Sequence, residues 1–371
     1  MKPVLIFSGA NDRAVIAFCR YAESVNINYS IVANGDDDLI FLTDYKKNII
    51  ATRIKNVLNI DIIIQYANKL KPIFLSEEVF ILPSTEYLNR LLLSNEKKLL
   101  SHKISFGLCE DKLYYKISNK YDFGVLCSSY NINLPKEFYS KPKKYPYVIK
   151  PKTYFNSSQT VNIKPAIISN KEEDIYFFSN NNDNDLYYQE YVAGKSIYLL
   201  FYFYKNGCYS VYSQENFIQQ HNGGSMILSK SANYHLNKEL VSGFANLFIN
   251  EGFNGLVMIE VKHYKNKYYM IEANPRLWGP SQLILDANMS LLDDFSIENN
   301  LINSDVKTIG EYNLDINYFW AGGFIQTNKK NFEVIIYNYK KEYFMKNYAD
   351  ILKNEIYLRK DTIQIYLKEN S

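Results

Sequence analysis

The chain has 371 residues, 47% hydrophobic and 22% charged, with 42 Lys and Arg against 39 Asp and Glu for a net charge of +3. That length accommodates two or three domains around a sizeable core, and the composition is that of a soluble globular protein. So small a charge argues against a nucleic-acid partner and an anionic membrane surface, and the longest apolar run, Ile197–Tyr204, is too short to span a bilayer.

In chain order, residues 1–10 form a buried strand that ends in the small-residue turn Ser8-Gly9-Ala10-Asn11. One glycine is far short of a dinucleotide fingerprint, so this reads as a tight turn into the helix Asp12–Val25. A strand at Tyr29–Ala33, closed by Asn34-Gly35, completes strand–helix–strand and predicts a parallel sheet. Alternation continues with a helix over Asp61–Leu70, a strand over Val79–Leu82, and helices over Thr85–Leu93 and Glu96–His102. A first boundary falls near residue 105. Residues 111–133 read as helical, and Tyr147–Lys150 as a short strand stopped by Pro151. Thr153–Thr160 reads as a loop between strands, and 170–185, rich in Asn and Asp, as the most loop-like stretch. Strands follow at Leu186–Val192, Ser196–Tyr204 and Cys208–Ser213, then the loop His221–Ser225 and an amphipathic helix over Leu236–Asn250. One or two helices run from Gln282 to about Leu301. The tail, 302–371, has the apolar runs Ile316–Phe324, Val334–Tyr339 and Ile363–Leu367 but no motif.

Cys19, Cys109, Cys127 and Cys208 lack zinc or redox spacing, and Pro3–Phe7, interrupted by Asn11-Asp12-Arg13, is too short for a secretory signal. Both features point to the cytoplasm. The four histidines show no zinc spacing with cysteine, and there is no nucleophile elbow and no Walker loop.

The stretch Gly255–Gln282, GLVMIEVKHYKNKYYMIEANPRLWGPSQ, carries the chemistry. The runs Leu256–Ile259 and Tyr268–Ile271 flank Lys265-Asn266-Lys267 and predict a β-hairpin. Centred on Asn266, the hairpin sets Glu260 opposite Glu272. Like charges in that position destabilise the ladder and call for a cation between them. Asn274 is two residues past Glu272, on the same face of the strand. Two carboxylates and an amide oxygen are hard donors of the kind Mg²⁺ takes. Arg276, a further step of two, adds a fixed positive fork.

The segment IEANPRLWG after an upstream glutamate resembles the signature of the ATP-grasp superfamily, in particular its carboxylate–amine ligases. The resemblance spans roughly residues 1–300. It implies an α/β and α+β fold: an N-terminal parallel-sheet domain (1–105), ATP-grasp lobes (106–301, divided near 190) and a C-terminal extension (302–371). It implies ATP and Mg²⁺ as cofactors, two ions with Mn²⁺ as a substitute, small-molecule carboxylate and amine substrates, and a tendency to dimerise. Glu260, Glu272 and Asn274 match the magnesium ligands, and Arg276 the arginine beside the transferring phosphoryl group. Lys150, in YVIKPK, matches the lysine that contacts ATP phosphates. Lys120 matches the earlier such lysine, with Lys112 as a competing match. Gln189-Glu190-Tyr191-Val192-Ala193-Gly194 resembles the hinge that binds adenine, through the Gln189 side chain and the backbone of Glu190 and Val192. Ile271 lines the adenine slot in this scheme.

Three departures stand out. Relatives carry an acidic residue for the ribose where this chain has Lys195-Ser196. Their phosphate loop is often glycine-rich, whereas Thr153–Thr160 has no glycine and offers Ser157 and Ser158 instead. They place an arginine before the Gly-Gly loop, where this chain has Gln219-Gln220-His221. The implied activity is ATP-dependent joining of a carboxylate to an amine. A phosphotransferase, a carboxylate–thiol ligase and an inactive nucleotide-binding protein share the same motifs.

Overall fold

The computed structural model describes residues 1–153, 164–180, 186–303, 312–337 and 339–371. Its first sheet is parallel throughout. Strands β1 (Val4–Phe7), β2 (Tyr29–Asn34), β3 (Ile49–Arg53), β4 (Val79–Ile81) and β5 (Ile104–Ser105) lie in the order β3-β2-β1-β4-β5. VLIF of β1 is buried throughout, as expected of a strand covered on both faces. Helix α1 (Asp12–Ser24) follows β1, and α2 (Ile60–Phe74) precedes β4. The loops after β1 and β4 leave the same edge of the sheet on either side of the point where strand order reverses. Such a crevice is where open α/β sheets bind ligands. Helix α3 (Glu86–Leu93) starts at that edge, capped by the Thr85 hydroxyl.

Strands β6 (Glu137–Phe138), β7 (Tyr147–Pro151), β8 (Ala166–Ile168) and β9 (Leu186–Glu190) form an antiparallel sheet in the order β6-β9-β7-β8. The third sheet is built around β10 (Lys195–Phe203) and β11 (Tyr209–Gln219), with β12 (Met226–Ala232), β13 (Gly255–Tyr264) and β14 (Lys267–Asn274). Alternate residues of β10 enter two cores. Tyr198, Leu200 and Tyr202 face the one that holds α1, and Ile197, Leu199, Phe201 and Phe203 the one that holds Phe244 and Phe248. This is the two-sided burial that makes Ile197–Tyr204 read as one apolar run. Among the described residues no helix is long and apolar enough to cross a membrane.

Several elements differ from expectation. The helical stretch 111–133 is two helices, Asp111–Ser118 and Lys120–Ser129. Asn119 is extended between them, and its side chain caps the second at the N–H groups of Tyr121 and Asp122. Within 170–185, Lys171–Asn180 is helical. Asn170 accepts from the Glu173 N–H while Glu173 reaches back to the Ser169 N–H, a reciprocal cap hidden by the Asn-rich run behind it. Strand β11 continues six residues past Ser213, to Gln219, and β3, β5 and β12 have no counterpart in the sequence reading. The tail, where no element was assigned, adds two strands to the third sheet. Asn317–Phe319 (β15) pairs with β12, and Ile335–Ile336 (β16) with β11.

Gly194, between β9 and β10, marks a close approach of backbones. A Cβ there would stand 2.3 Å from the His263 carbonyl oxygen of β13. Gly194→Ala is therefore expected to destabilise the fold by roughly 1–3 kcal/mol, read as a lower urea midpoint at unchanged slope.

Candidate active site

The hairpin β13–β14 turns at Lys265-Asn266, both with positive φ (49° and 60°), as a two-residue type I′ turn requires. The pairing runs Tyr264–Lys267, Lys262–Tyr269 and Val261–Met270, then Glu260–Glu272. The two glutamates thus face each other as expected, by a different route. The turn is centred between Lys265 and Asn266, and a bulge at Ile271 supplies the missing half-residue. The bulge also turns the Ile271 carbonyl to the Lys150 ammonium, 3.0 Å away.

Each carboxylate has its own compensation. Glu260, 6% exposed, accepts from the Ser196 hydroxyl at 2.9 Å and pairs with Lys262 at 3.3 Å. Ser196 in turn accepts from Asn216 (2.9 Å), and Asn216 from Gln214 (2.7 Å), a buried polar chain across three strands. Glu272 pairs with Lys120 at 2.7 Å and accepts from the Asn274 amide at 2.8 Å. The Asn274 oxygen accepts from Arg276 at 3.1 Å. Lys120 is the first residue of its helix, so the Asn119 cap sets its position. Burial would raise the Glu272 carboxyl, but Lys120, Asn274 and Lys150 together hold it well below the usual carboxylate range. Burial and the neighbouring Lys120 lower Lys150 to about 8 against the pull of Glu272 and Glu260.

Two cavities meet at this hairpin. The first, about 660 Å³, is lined by Lys120, Lys150, Gln189, Glu190, Val192, Glu260, Ile271 and Glu272. The second, about 720 Å³, takes in Glu272, Asn274 and Arg276 together with the loops after β1 and β4. Eight of the expected site residues thus share one cleft, and Asn274 and Arg276 face the adjoining space. Ser157 and Ser158 lie outside the described residues. In the hinge, the Lys136 carbonyl accepts from the Glu190 N–H at 2.8 Å, and the Gln189 side-chain oxygen is buried without a partner.

Sequence alone did not indicate Lys262, two residues past Glu260 on the same face, whose ammonium lies 3.5 Å from the Tyr337 ring centre. The period of two could have found it; Tyr337, on the tail, carried no signal. Among the described residues no three His, Cys, Asp or Glu side chains gather to hold a metal. The hard-donor set is the paired carboxylates with the Asn274 amide. It fits Mg²⁺, and the Lys120 ammonium supplies positive charge at the same carboxylate.

No protein-family model matches the sequence, and no curated protein matches it either. Solved structures do match. The biotin carboxylase domain of Hydrogenobacter thermophilus 2-oxoglutarate carboxylase, a dimer with MgADP, ADP and bicarbonate, aligns at TM-score 0.60 and 13% identity over 85% of this chain and 73% of that one. N5-carboxyaminoimidazole ribonucleotide synthetase (purK) with ADP aligns at 0.56 and 13%, over 85% and 79%. The chain has the ATP-grasp fold. Pyruvate carboxylase of Rhizobium etli aligns at 0.58 and 13% over 82% of this chain, which spans only 29% of the length of that enzyme. The first cavity lies between the two antiparallel sheets, lined from β7 and β9 of one and β13 and β14 of the other.

The Lys120–Glu272 pair gives a test independent of ligand. A double-mutant cycle with Lys120→Met and Glu272→Gln should show a coupling of about 1–3 kcal/mol at pH 7. Because the folded carboxyl is depressed, the coupling is fully present above the ordinary glutamate range and is lost as pH falls through the folded value. Urea titrations of the four proteins at several pH values measure it.

Proposed function

We propose that the protein is an ATP-dependent ligase that joins a carboxylate to an amine through an acyl phosphate, releasing ADP and phosphate. One observation carries this reading: Glu272, which faces Glu260 across the hairpin, lines both a lysine-lined cleft and a second cavity that opens on Arg276. That arrangement suits transfer of a phosphoryl group from one cavity to an acceptor in the other. The structural neighbours with bound ADP support the nucleotide assignment, and their names support the reaction class.

In this scheme the nucleotide occupies the first cavity. Its base lies at the hinge, against Ile271, the Gln189 side chain and the backbone of Glu190 and Val192. Its phosphates lie against Lys150 and Lys120. Glu260, Glu272 and Asn274 would hold Mg²⁺, which supplies neutralisation of phosphate charge when bound. A carboxylate oxygen of the acceptor attacks the γ-phosphorus, and the β–γ bridging oxygen leaves with ADP. Arg276 lies where the transferring group gains charge in the second cavity. The amine then attacks the acyl carbon and displaces phosphate. No protein nucleophile is needed. The residues contribute position and a preorganised field in a site shielded from water.

Glu272→Gln is expected to abolish ADP formation while leaving the fold intact, as read by an unchanged circular dichroism spectrum. Undiminished turnover in that variant would overturn the role of the hairpin. Lys150 supplies a second test. Its ammonium titrates near pH 8 in the free protein, so ATP affinity should fall as pH rises through 8. Lys150→Arg, charged throughout, should flatten that profile, and Lys150→Met should lose binding at every pH; calorimetric titration from pH 6.5 to about 9.5 distinguishes them.

A further inference from the structure

The two carboxylates of the hairpin are compensated unequally. Lys120, which pairs with Glu272, keeps 23% of its side chain exposed, and Lys262, which pairs with Glu260, keeps 7%. Lys120 stands at a helix start on the cleft and can turn to a phosphate when a metal ion takes its place. Lys262 is enclosed. Its buried ammonium has the Glu260 carboxylate at 3.3 Å and the centre of the Tyr337 ring at 3.5 Å, with no directed hydrogen bond among the described residues. A carboxylate and an aromatic face both favour the charged form of a lysine. The ring is itself fixed: the Tyr337 N–H donates to the Phe217 carbonyl at 2.8 Å and its hydroxyl to Gln219 at 2.5 Å.

The oxygen atoms left for a metal are correspondingly few. One Glu260 oxygen already takes both the Ser196 hydroxyl and Lys262. The two Glu272 oxygens are held by Lys120 and by the Asn274 amide. Once Lys120 turns away, what remains is one oxygen on each carboxylate and the Asn274 amide oxygen. Mg²⁺ takes one or two carboxylates and completes its octahedron with phosphate oxygens and water, so this set serves one ion. The charge count agrees. Among the described residues five lysines and three glutamates line the first cavity, a net charge of +2 with His221 neutral. A nucleoside triphosphate carries about four negative charges, so one divalent cation brings the filled cleft to about zero, and a second would leave it about two charges positive beside a buried ammonium.

We propose that Lys262 is a resident cation that does the work of a second metal ion, so that the site takes one divalent ion per nucleotide. This rests on the nucleotide site of the ligase reading above and specifies its metal content, against the two ions that the sequence resemblance implies. Lys262 is a positioning residue: it acts through the Glu260 carboxylate, occupying one oxygen and leaving the other to the metal. The tail has a part in this, because Tyr337 supplies the face that keeps the ammonium on Glu260.

The test uses the full chain with Mn²⁺ and a non-hydrolysable imido analogue of ATP. Equilibrium dialysis counts bound Mn²⁺ per bound nucleotide, and electron paramagnetic resonance separates an isolated ion from a spin-coupled pair. The wild type should hold one Mn²⁺ per nucleotide with the spectrum of an isolated ion. Lys262→Met should admit a second, with the broadened spectrum of a coupled pair, and Lys262→Arg, which keeps the charge, should return the count to one. Two Mn²⁺ per nucleotide in the wild type would overturn the proposal and leave the ligase reading standing. A single ion in Lys262→Met would likewise overturn the role of Lys262. Nucleotide bound without Mn²⁺, or no nucleotide bound at all, would overturn the ligase reading as well. The wild-type count and spectrum carry the test if a variant fails to fold.

Discussion

Two carboxylates opposite one another on a buried β-ribbon repel, and the site is built as an answer to that repulsion. At about 5 Å and an effective dielectric constant of about 20, the cost is about 3 kcal/mol. The protein offsets it with positive charge delivered from three directions: Lys120 from a capped helix start, Lys150 from the end of β7 and Lys262 from the same strand as Glu260. Hydrogen-bond donors complete the compensation, with Ser196 on Glu260 and Asn274 on Glu272. None of these groups is permanent in the sense that a disulfide is. A lysine that neutralises a glutamate can turn to a phosphate once another cation takes its place. A site held by exchangeable ion pairs is preorganised for a highly charged ligand without being closed to it.

The bulge at Ile271 shows how register becomes chemistry. A regular hairpin with this turn would have set Glu260 against the residue before Glu272, with one carboxylate turned to the opposite face. The single extra residue restores the facing pair and frees a carbonyl that fixes Lys150. Thus one local irregularity positions the facing carboxylates and Lys150 together. It also explains why an alternation pattern centred on Asn266 gave the right pair. The symmetry of the sequence about Asn266 holds at the glutamates, and the offset at the turn cancels against the bulge.

What was legible in the sequence follows from how local its cause is. Strand β1, helix α1 and the hairpin are written in short-range periodicity, and Glu272, Asn274 and Arg276 are a run of twos along one stretch, with Glu260 opposite Glu272 across the hairpin. Elements whose burial comes from distant partners were not legible. Strand β12 reads MILSKSA, nearly half polar, with Ser231 donating to the Asn313 carbonyl, and β3 owes its place to pairing with β2. The Asn170–Glu173 cap was local but masked by the Asn run that follows. The second cavity was out of reach altogether: Asp12 and Glu369, which both line it, come from opposite ends of the chain.

Strand β11 ends at Gln219, followed by Gln220 and His221. Each of these three residues is engaged by the tail. Gln219 accepts from the Tyr337 hydroxyl at 2.5 Å, Gln220 donates to the Gly323 carbonyl at 3.1 Å, and the His221 ring stacks on Phe332 at 4.4 Å. An arginine there would have to place its charge among neutral and aromatic partners, beside the Lys262 ammonium that already faces Tyr337. Neutral amides dock the segment without that cost. The strand end is the seat of β16 and the residues around it. On this side of the cleft Lys262, two strands away across β10, brings positive charge against Tyr337, so the tail belongs to the wall of the cleft and not to its surroundings.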